Sequence, residues 1–141
     1  MKRCLVDVNV WFGLLVRHHE HHEKAAQWFD QCEAGEAVLC RQVQLGLMRV
    51  LGNQTILNDK AVTALQAWQV IEELLEDERV EMAVEPEGLD RILPTLLRYR
   101  VPTGKLVGDA YLAAFAMGWE FDLVTLDKGF REYRGLAVRL L

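Results

Sequence analysis

The sequence predicts an α/β domain with a mostly parallel central sheet of about five strands flanked by helices. Three observations carry that prediction. Short apolar runs rich in β-branched residues (Cys4-Leu5-Val6, Ala37–Cys40, Leu123-Val124-Thr125) alternate with longer segments of helical periodicity. The first run is hydrophobic enough to be covered on both faces, as central parallel strands are. It also ends on a carboxylate, Asp7, at the strand end where open α/β sheets place their ligands.

The elements follow in order. Strand one spans about residues 3–6. A helix starts near Asn9, carries Trp11, Phe12, Leu14 and Leu15, and fades into the polar run His18–Glu23. A second helix, roughly 23–33, is expected to bury Ala25, Ala26, Trp28 and Phe29, with Ala34-Gly35 stopping it. Residues 37–40 form a short strand. Residues 42–51 read as a helix with Leu45, Met48 and Leu51 as its apolar stripe. Asp59 is the expected N-cap of a long helix over 60–76, whose Leu65, Trp68, Ile71 and Leu75 define one apolar face. A strand over 80–84 follows, and Pro86-Glu87-Gly88 opens a helix to about Tyr99. A loop at 102–104 leads to a helix over 105–117, ended by Gly118. A strand over 122–125 delivers Asp127, and a helical turn and a last strand over 136–140 complete the chain.

A chain of 141 residues suits one domain spanning 1–141. A 51% hydrophobic and 26% charged composition excludes disorder, and a net charge of −5 argues against a broadly basic nucleic-acid surface. It leaves room for an acidic pocket that meets phosphates through a metal. Cys4, Cys32 and Cys40 are odd in number and widely spaced, as expected of reduced thiols in a cytoplasmic protein. Neither a signal peptide nor a bilayer-spanning segment is expected, so no membrane partner is.

The chemistry concentrates in three aspartates. Asp7 follows strand one, Asp127 follows the strand Leu123-Val124-Thr125, and Asp109 lies in the first turns of a helix. If the two strands are parallel neighbours, their ends lie side by side and the helix start faces them. Carboxylates crowded this way repel, and a hard divalent cation, Mg²⁺ or Mn²⁺, is the natural partner. Such a site suits phosphodiester hydrolysis by a metal-activated water. Taken singly, each Asp is equally well a helix cap or turn former.

Two blocks carry a resemblance to a known family. Leu5-Val6-Asp7-Val8-Asn9 resembles the opening of the PIN-domain ribonucleases. Gly108-Asp109-Ala110-Tyr111-Leu112-Ala113-Ala114 with Leu123-Val124-Thr125-Leu126-Asp127-Lys128-Gly129-Phe130 resembles that family's late block. Length and element order are similar to those of VapC-type toxins of toxin–antitoxin modules. The resemblance implies a Mg²⁺- or Mn²⁺-dependent endoribonuclease with Asp7, Asp109 and Asp127 at the metal. It implies Asn9 as a residue that orients Asp7 or a water, an RNA substrate, a cognate antitoxin and a homodimer. The family's acid on the third helix reads Gln44 here, which offers a cation one carbonyl oxygen and no charge. Asp90 is a candidate to move in for it. Tyr111 stands where many such domains have His.

Other signals read more simply. His18-His19-Glu20-His21-His22-Glu23 is not an H-E-x-x-H zinc motif and suits a solvated surface. The four tryptophans are expected in the core, and part of the Leu65–Leu75 stripe is a candidate dimer or antitoxin surface. The run Glu72–Glu78 reads as a solvated helix end. Arg98, Arg100 and Lys105 precede Asp109 and could line an approach for RNA, or simply complement a helix end. Arg49 is a candidate to pair with a carboxylate at the core edge. Two alternatives to the ribonuclease remain open. One is a phosphatase with an aspartate nucleophile, which would want an acid where Asn9 stands. The other is a PIN-like binding module whose metal site is weakened at Gln44.

Overall fold

A computed structural model of the chain describes residues 2–98 and 103–141. The sheet has five strands in the order β3-β2-β1-β4-β5: β1 (Cys4–Val6), β2 (Ala37–Leu39), β3 (Val80–Met82), β4 (Asp122–Thr125) and β5 (Val138–Leu140). Every pairing is parallel, so the expected mostly parallel sheet is wholly parallel among the described residues. The seven described α-helices flank it: α1 (Val8–Leu15), α2 (His22–Asp30), α3 (Arg41–Leu51), α4 (Gln54–Leu57), α5 (Ala64–Leu75), α6 (Leu89–Leu96) and α7 (Val107–Trp119).

The central strands are buried on both faces: Cys4, Leu5, Val6, Leu123 and Val124 are wholly inaccessible. Each large aliphatic side chain so buried contributes about 1.5–3 kcal/mol. The order of strands follows from that burial. The apolar β1 takes the centre, while β3 and β5, which carry Glu81 and Arg139, lie at the edges. β1 pairs with β4 in the register Leu5↔Leu123 and Val6↔Val124. Asp7 N–H continues the ladder to Val124 O at 2.9 Å, which brings the ends of β1 and β4 together.

Several expectations about the helices are corrected. Gly35 does not end α2, which stops at Asp30; instead Gly35 takes φ 73° in the turn into β2, a conformation that costs glycine little. Asp59 does not cap a long helix. That segment is broken into α4, capped by Asn53, a 3₁₀ turn over Asn58–Lys60, and α5, capped by Thr63. Thr63 Oγ1 accepts from Gln66 N–H and Gln66 Oε1 from Thr63 N–H, a reciprocal cap that outcompetes a lone Asp. Gly118 does not end α7, which runs on to Trp119 with Glu120 in the left-handed conformation. Gly118 instead permits close approach: a Cβ there would lie 2.5 Å from Pro86 Cγ.

Two apolar stripes are rotated from expectation. α3 buries Val43, Leu47 and Leu51 and exposes Leu45; α5 buries Ala67 and Ile71, with Leu65 66% exposed and Trp68 39% exposed. On α2, Ala26 is only half-buried. Trp11 and Trp28 are core residues as expected, whereas Trp68 and Trp119 are exposed. The helix expected to reach Tyr99 ends at Leu96 among the described residues. Tyr99, Arg100 and the Lys105 side chain lie outside the described residues.

Candidate active site

The parallel register places three polar side chains at the joined ends of β1 and β4. Asp7 leaves β1, caps α1 through Oδ1, which accepts from Val8 N–H at 2.8 Å, and accepts at Oδ2 from Thr125 Oγ1–H, also at 2.8 Å. Thr125 is fully buried at the end of β4. Its oxygen also accepts from Asp127 N–H at 3.0 Å and from Asn9 Nδ2–H at 3.4 Å. Asn9 Oδ1 accepts from Leu126 N–H at 3.2 Å. No side-chain hydrogen bond joins Asn9 directly to Asp7 among the described residues. Asn9 fastens the exit of β4, and Thr125 connects it to Asp7.

Thr125 is the site residue that the aspartate pattern missed. Its signal was present: a hydroxyl at the end of an otherwise apolar strand, two residues before an Asp. Such a buried hydroxyl must find partners.

Asp127 is exposed, and its Oδ1 accepts from Gly129 N–H at 2.8 Å to cap the following 3₁₀ turn. Asp109 lies in the first turn of α7, where the helix dipole favours a negative charge. Asp7 and Asp127 are thus caps, as the simple reading had it, and members of an electrostatic cluster as well. Burial pushes the Asp7 carboxyl from 3.8 up to about 6; the hydrogen bonds from Thr125 and Val8 oppose this, and the charges of Asp109 and Asp127 add to it. Asp90 is exposed in the first turn of α6 and is not among the charges acting on Asp7.

Gln44 is 2% exposed on α3, and its Oε1 accepts from the Arg41 guanidinium. The expected free carbonyl is therefore already engaged by a cation of the chain itself. Beside it opens a groove of about 630 Å³ between α3, the segment after β3 and α7. Arg49 lines this groove and pairs with no carboxylate among the described residues, contrary to the pairing considered for it. Tyr111 also lines it and donates its hydroxyl to Glu85 Oε2 at 2.8 Å; burial and that carboxylate raise the phenol above its ordinary value.

The donors around Asp7 are hard carboxylate oxygens, which fit Mg²⁺ or Mn²⁺. No three His, Cys, Asp or Glu side chains among the described residues stand close enough to cage an ion. The histidine run forms no such group either; its His22 Nδ1 lies 2.9 Å from Gly13 O and His19 Nδ1 accepts from His21 N–H. Burial raises the Cys4 and Cys32 thiols, to about 11 and 12, so both are held protonated.

An all-parallel β3-β2-β1-β4-β5 sheet with acids at the β1 and β4 ends defines a class. The PIN-domain model matches residues 4–136, and the chain belongs to that family. Within it the chain groups with the VapC proteins. It is 37% identical over 142 residues to ribonuclease VapC41 of Mycobacterium tuberculosis, covering 97% of each chain. The fold superposes on M. tuberculosis VapC20, a sarcin–ricin-loop-cleaving toxin, with TM-score 0.69 at 16% identity, covering 96% of this chain and 98% of that one. It superposes equally on Rickettsia felis VapBC2 bound to a promoter DNA fragment, with TM-score 0.69 at 15% identity and 98% of both chains covered.

Proposed function

We propose that the chain is a metal-dependent endoribonuclease toxin whose centre is Asp7, Asp109 and Asp127. The observation that carries this reading is the partly buried Asp7 carboxyl at the joined ends of β1 and β4, where burial and the charges of Asp109 and Asp127 raise it to about 6. A buried carboxylate among like charges is relieved by a cation, and hard oxygens select Mg²⁺ or Mn²⁺. Of about four lone-pair directions on a carboxylate, Val8 N–H and Thr125 Oγ1–H take two at Asp7 and leave the remainder for a ligand. An ion held by one or two carboxylates and water needs no complete cage of side chains.

When bound, the cation supplies Lewis acidity and offsets charge on the scissile phosphate. The chain's own residues do the positioning. Thr125 fixes Asp7 Oδ2, Asn9 fixes the Leu126 amide, and the Thr125 oxygen holds the Asp127 amide, so the carboxylates of both strands keep one orientation. Likeness to VapC proteins supports a cellular RNA as substrate and a cognate antitoxin as inhibitor, and the reading includes a homodimer acting in the cytoplasm. No helix among the described residues is long and apolar enough to cross a membrane.

The test is cleavage of total cellular RNA by purified protein in Mn²⁺ and Mg²⁺, beside Asp7→Asn and an EDTA control. Discrete cuts that vanish in both controls support the reading, and folded, antitoxin-free protein that makes no metal-dependent cut refutes it. One observation favours a second reading, a binding module without catalysis: the Gln44 carbonyl is occupied by Arg41. Mn²⁺ titration separates the two, because a weakened site binds the ion no better than a surface carboxylate pair.

A further inference from the structure

The residue that stands in place of an acid holds an arginine, and that arginine lines the groove of about 630 Å³. β2 is the parallel neighbour of β1, with Leu5↔Val38, so the residues after β2 emerge beside Asp7. Cys40 follows β2, and Asp7's charge adds to the burial that raises its thiol. Arg41 comes next, as the first residue of α3. Gln42 ties this corner to the third aspartate's helix, its Nε2–H donating to Gly108 O at 3.2 Å. Arg41 is thus delivered to the same edge of the sheet as the acids.

Its surroundings hold it without neutralising it. The guanidinium donates to Gln44 Oε1, a neutral acceptor, and stands 5.9 Å from the centre of the Trp68 ring. No carboxylate among the described residues pairs with it. Arg49 lies eight residues further along α3, about 12 Å by helical rise, on the wall of the same groove. Among the described residues lining the groove the carboxylate is Glu85, whose Oε2 accepts from the Tyr111 hydroxyl. In a chain of net charge −5, two guanidinium groups on one groove, neither paired with a carboxylate among the described residues, mark a local site for anions.

We propose that Arg41, positioned by Gln44 and backed by Trp68, grips a backbone phosphate of single-stranded RNA next to the scissile one, with the strand continuing past Arg49 along the groove. A guanidinium matches a phosphate bidentately, and its fork has donors to spare beyond the one given to Gln44. Gln44 thereby acquires a role that an acid could not fill, because a carboxylate would close an ion pair with Arg41 and hold it from the substrate. Arg41 is a positioning residue here, and the proposal rests on the ribonuclease reading above.

The experiment measures binding of a labelled, mixed-sequence single-stranded RNA to the full chain in EDTA across a salt series, with KM and kcat taken separately in Mn²⁺. The parent is compared with Arg41→Ala, Arg41→Lys and Arg17→Ala, the last a cation that lines a different pocket. Arg41→Ala is expected to bind about tenfold more weakly. Its log-affinity against log-salt slope should be shallower by about 0.7, the value of one single-strand phosphate contact. KM should rise with kcat nearly kept, Arg41→Lys should restore the slope but only part of the affinity, and Arg17→Ala should match the parent. Circular dichroism and the cooperativity of urea unfolding confirm that the variants fold. An Arg41→Ala chain that folds and keeps the parent's affinity and slope overturns the proposal while parental cleavage leaves the ribonuclease standing. A variant that keeps RNA binding but loses its antitoxin reassigns the groove to a protein partner and likewise overturns it. A parent that neither binds nor cuts RNA overturns both.

Discussion

Thr125 Oγ1 lies 2.8 Å from Asp7 Oδ2, a hydrogen bond that joins residues 118 positions apart and fixes the relation between two strands at the acidic centre. Because the hydroxyl donates to Asp7, its oxygen is left to accept from the Asp127 amide and the Asn9 side-chain amide. One small buried side chain thus ties the Asp7 carboxylate to the Asp127 backbone and to the exit of β4.

Thr125→Val keeps the shape and removes the hydroxyl. The Asp127 amide and the Asn9 amide then lose their acceptor, which should cost about 1–3 kcal/mol in urea unfolding. Cleavage should fall by roughly 10- to 100-fold, as losses of residues supporting metal ligands usually do. Thr125→Ser should recover most of both. A Thr125→Val protein that cuts RNA at the parental rate would show that the hydroxyl has no part in placing Asp7.

Asp7→Asn should abolish cleavage and raise the melting temperature at neutral pH. Asparagine caps a helix as well as aspartate does, so α1 keeps its start. The substitution removes a mostly buried charge that faces two others. A calorimetric scan of the metal-free protein decides the matter, and a melting temperature below the parent's contradicts the account.

The same carboxyl makes stability fall as pH rises. With a pKa of 3.8 in the unfolded chain and about 6 in the folded one, the folded state binds the proton more tightly. That advantage is complete below about pH 4 and is lost as pH climbs through about 6, by up to about 3 kcal/mol. Urea midpoints of metal-free parent and Asp7→Asn should therefore diverge between pH 4 and pH 7, the parent losing ground. A difference between them that stays constant across that range removes the basis for this prediction.

Gln44→Glu separates the two uses of α3. A carboxylate at position 44 should tighten Mn²⁺ binding by calorimetric titration about tenfold, since an added charged oxygen raises cation affinity. It should also close an ion pair with Arg41 and weaken RNA binding in EDTA. Tighter metal with unchanged RNA binding would show that Arg41 does not depend on the neutrality of Gln44.

Much of this was legible along the chain. Apolar runs such as Leu5-Val6 and Leu123-Val124 have only one stable setting, a sheet covered on both sides, and Asp7 and Asp127 at their ends point to a shared edge. The helical stripes were less legible. Leu45, Leu65 and Trp68 keep helical spacing yet face outward, because periodicity fixes a face and not what covers it. The break between α4 and α5 turned on Thr63 and Gln66 forming a reciprocal cap, a competition that composition does not decide.

The sequence by itself determined the α/β class, the strands that carry the carboxylates, and the family to which the chain belongs, since each rests on local pattern and short motifs. Only the tertiary structure decided that Thr125 bonds Asp7 and links it to Asn9, that Gln44 accepts from Arg41, and that Arg41 and Arg49 share a groove. These depend on contacts between residues remote in the chain, where hydrogen bonds are directional and burial leaves each polar atom few partners to choose from.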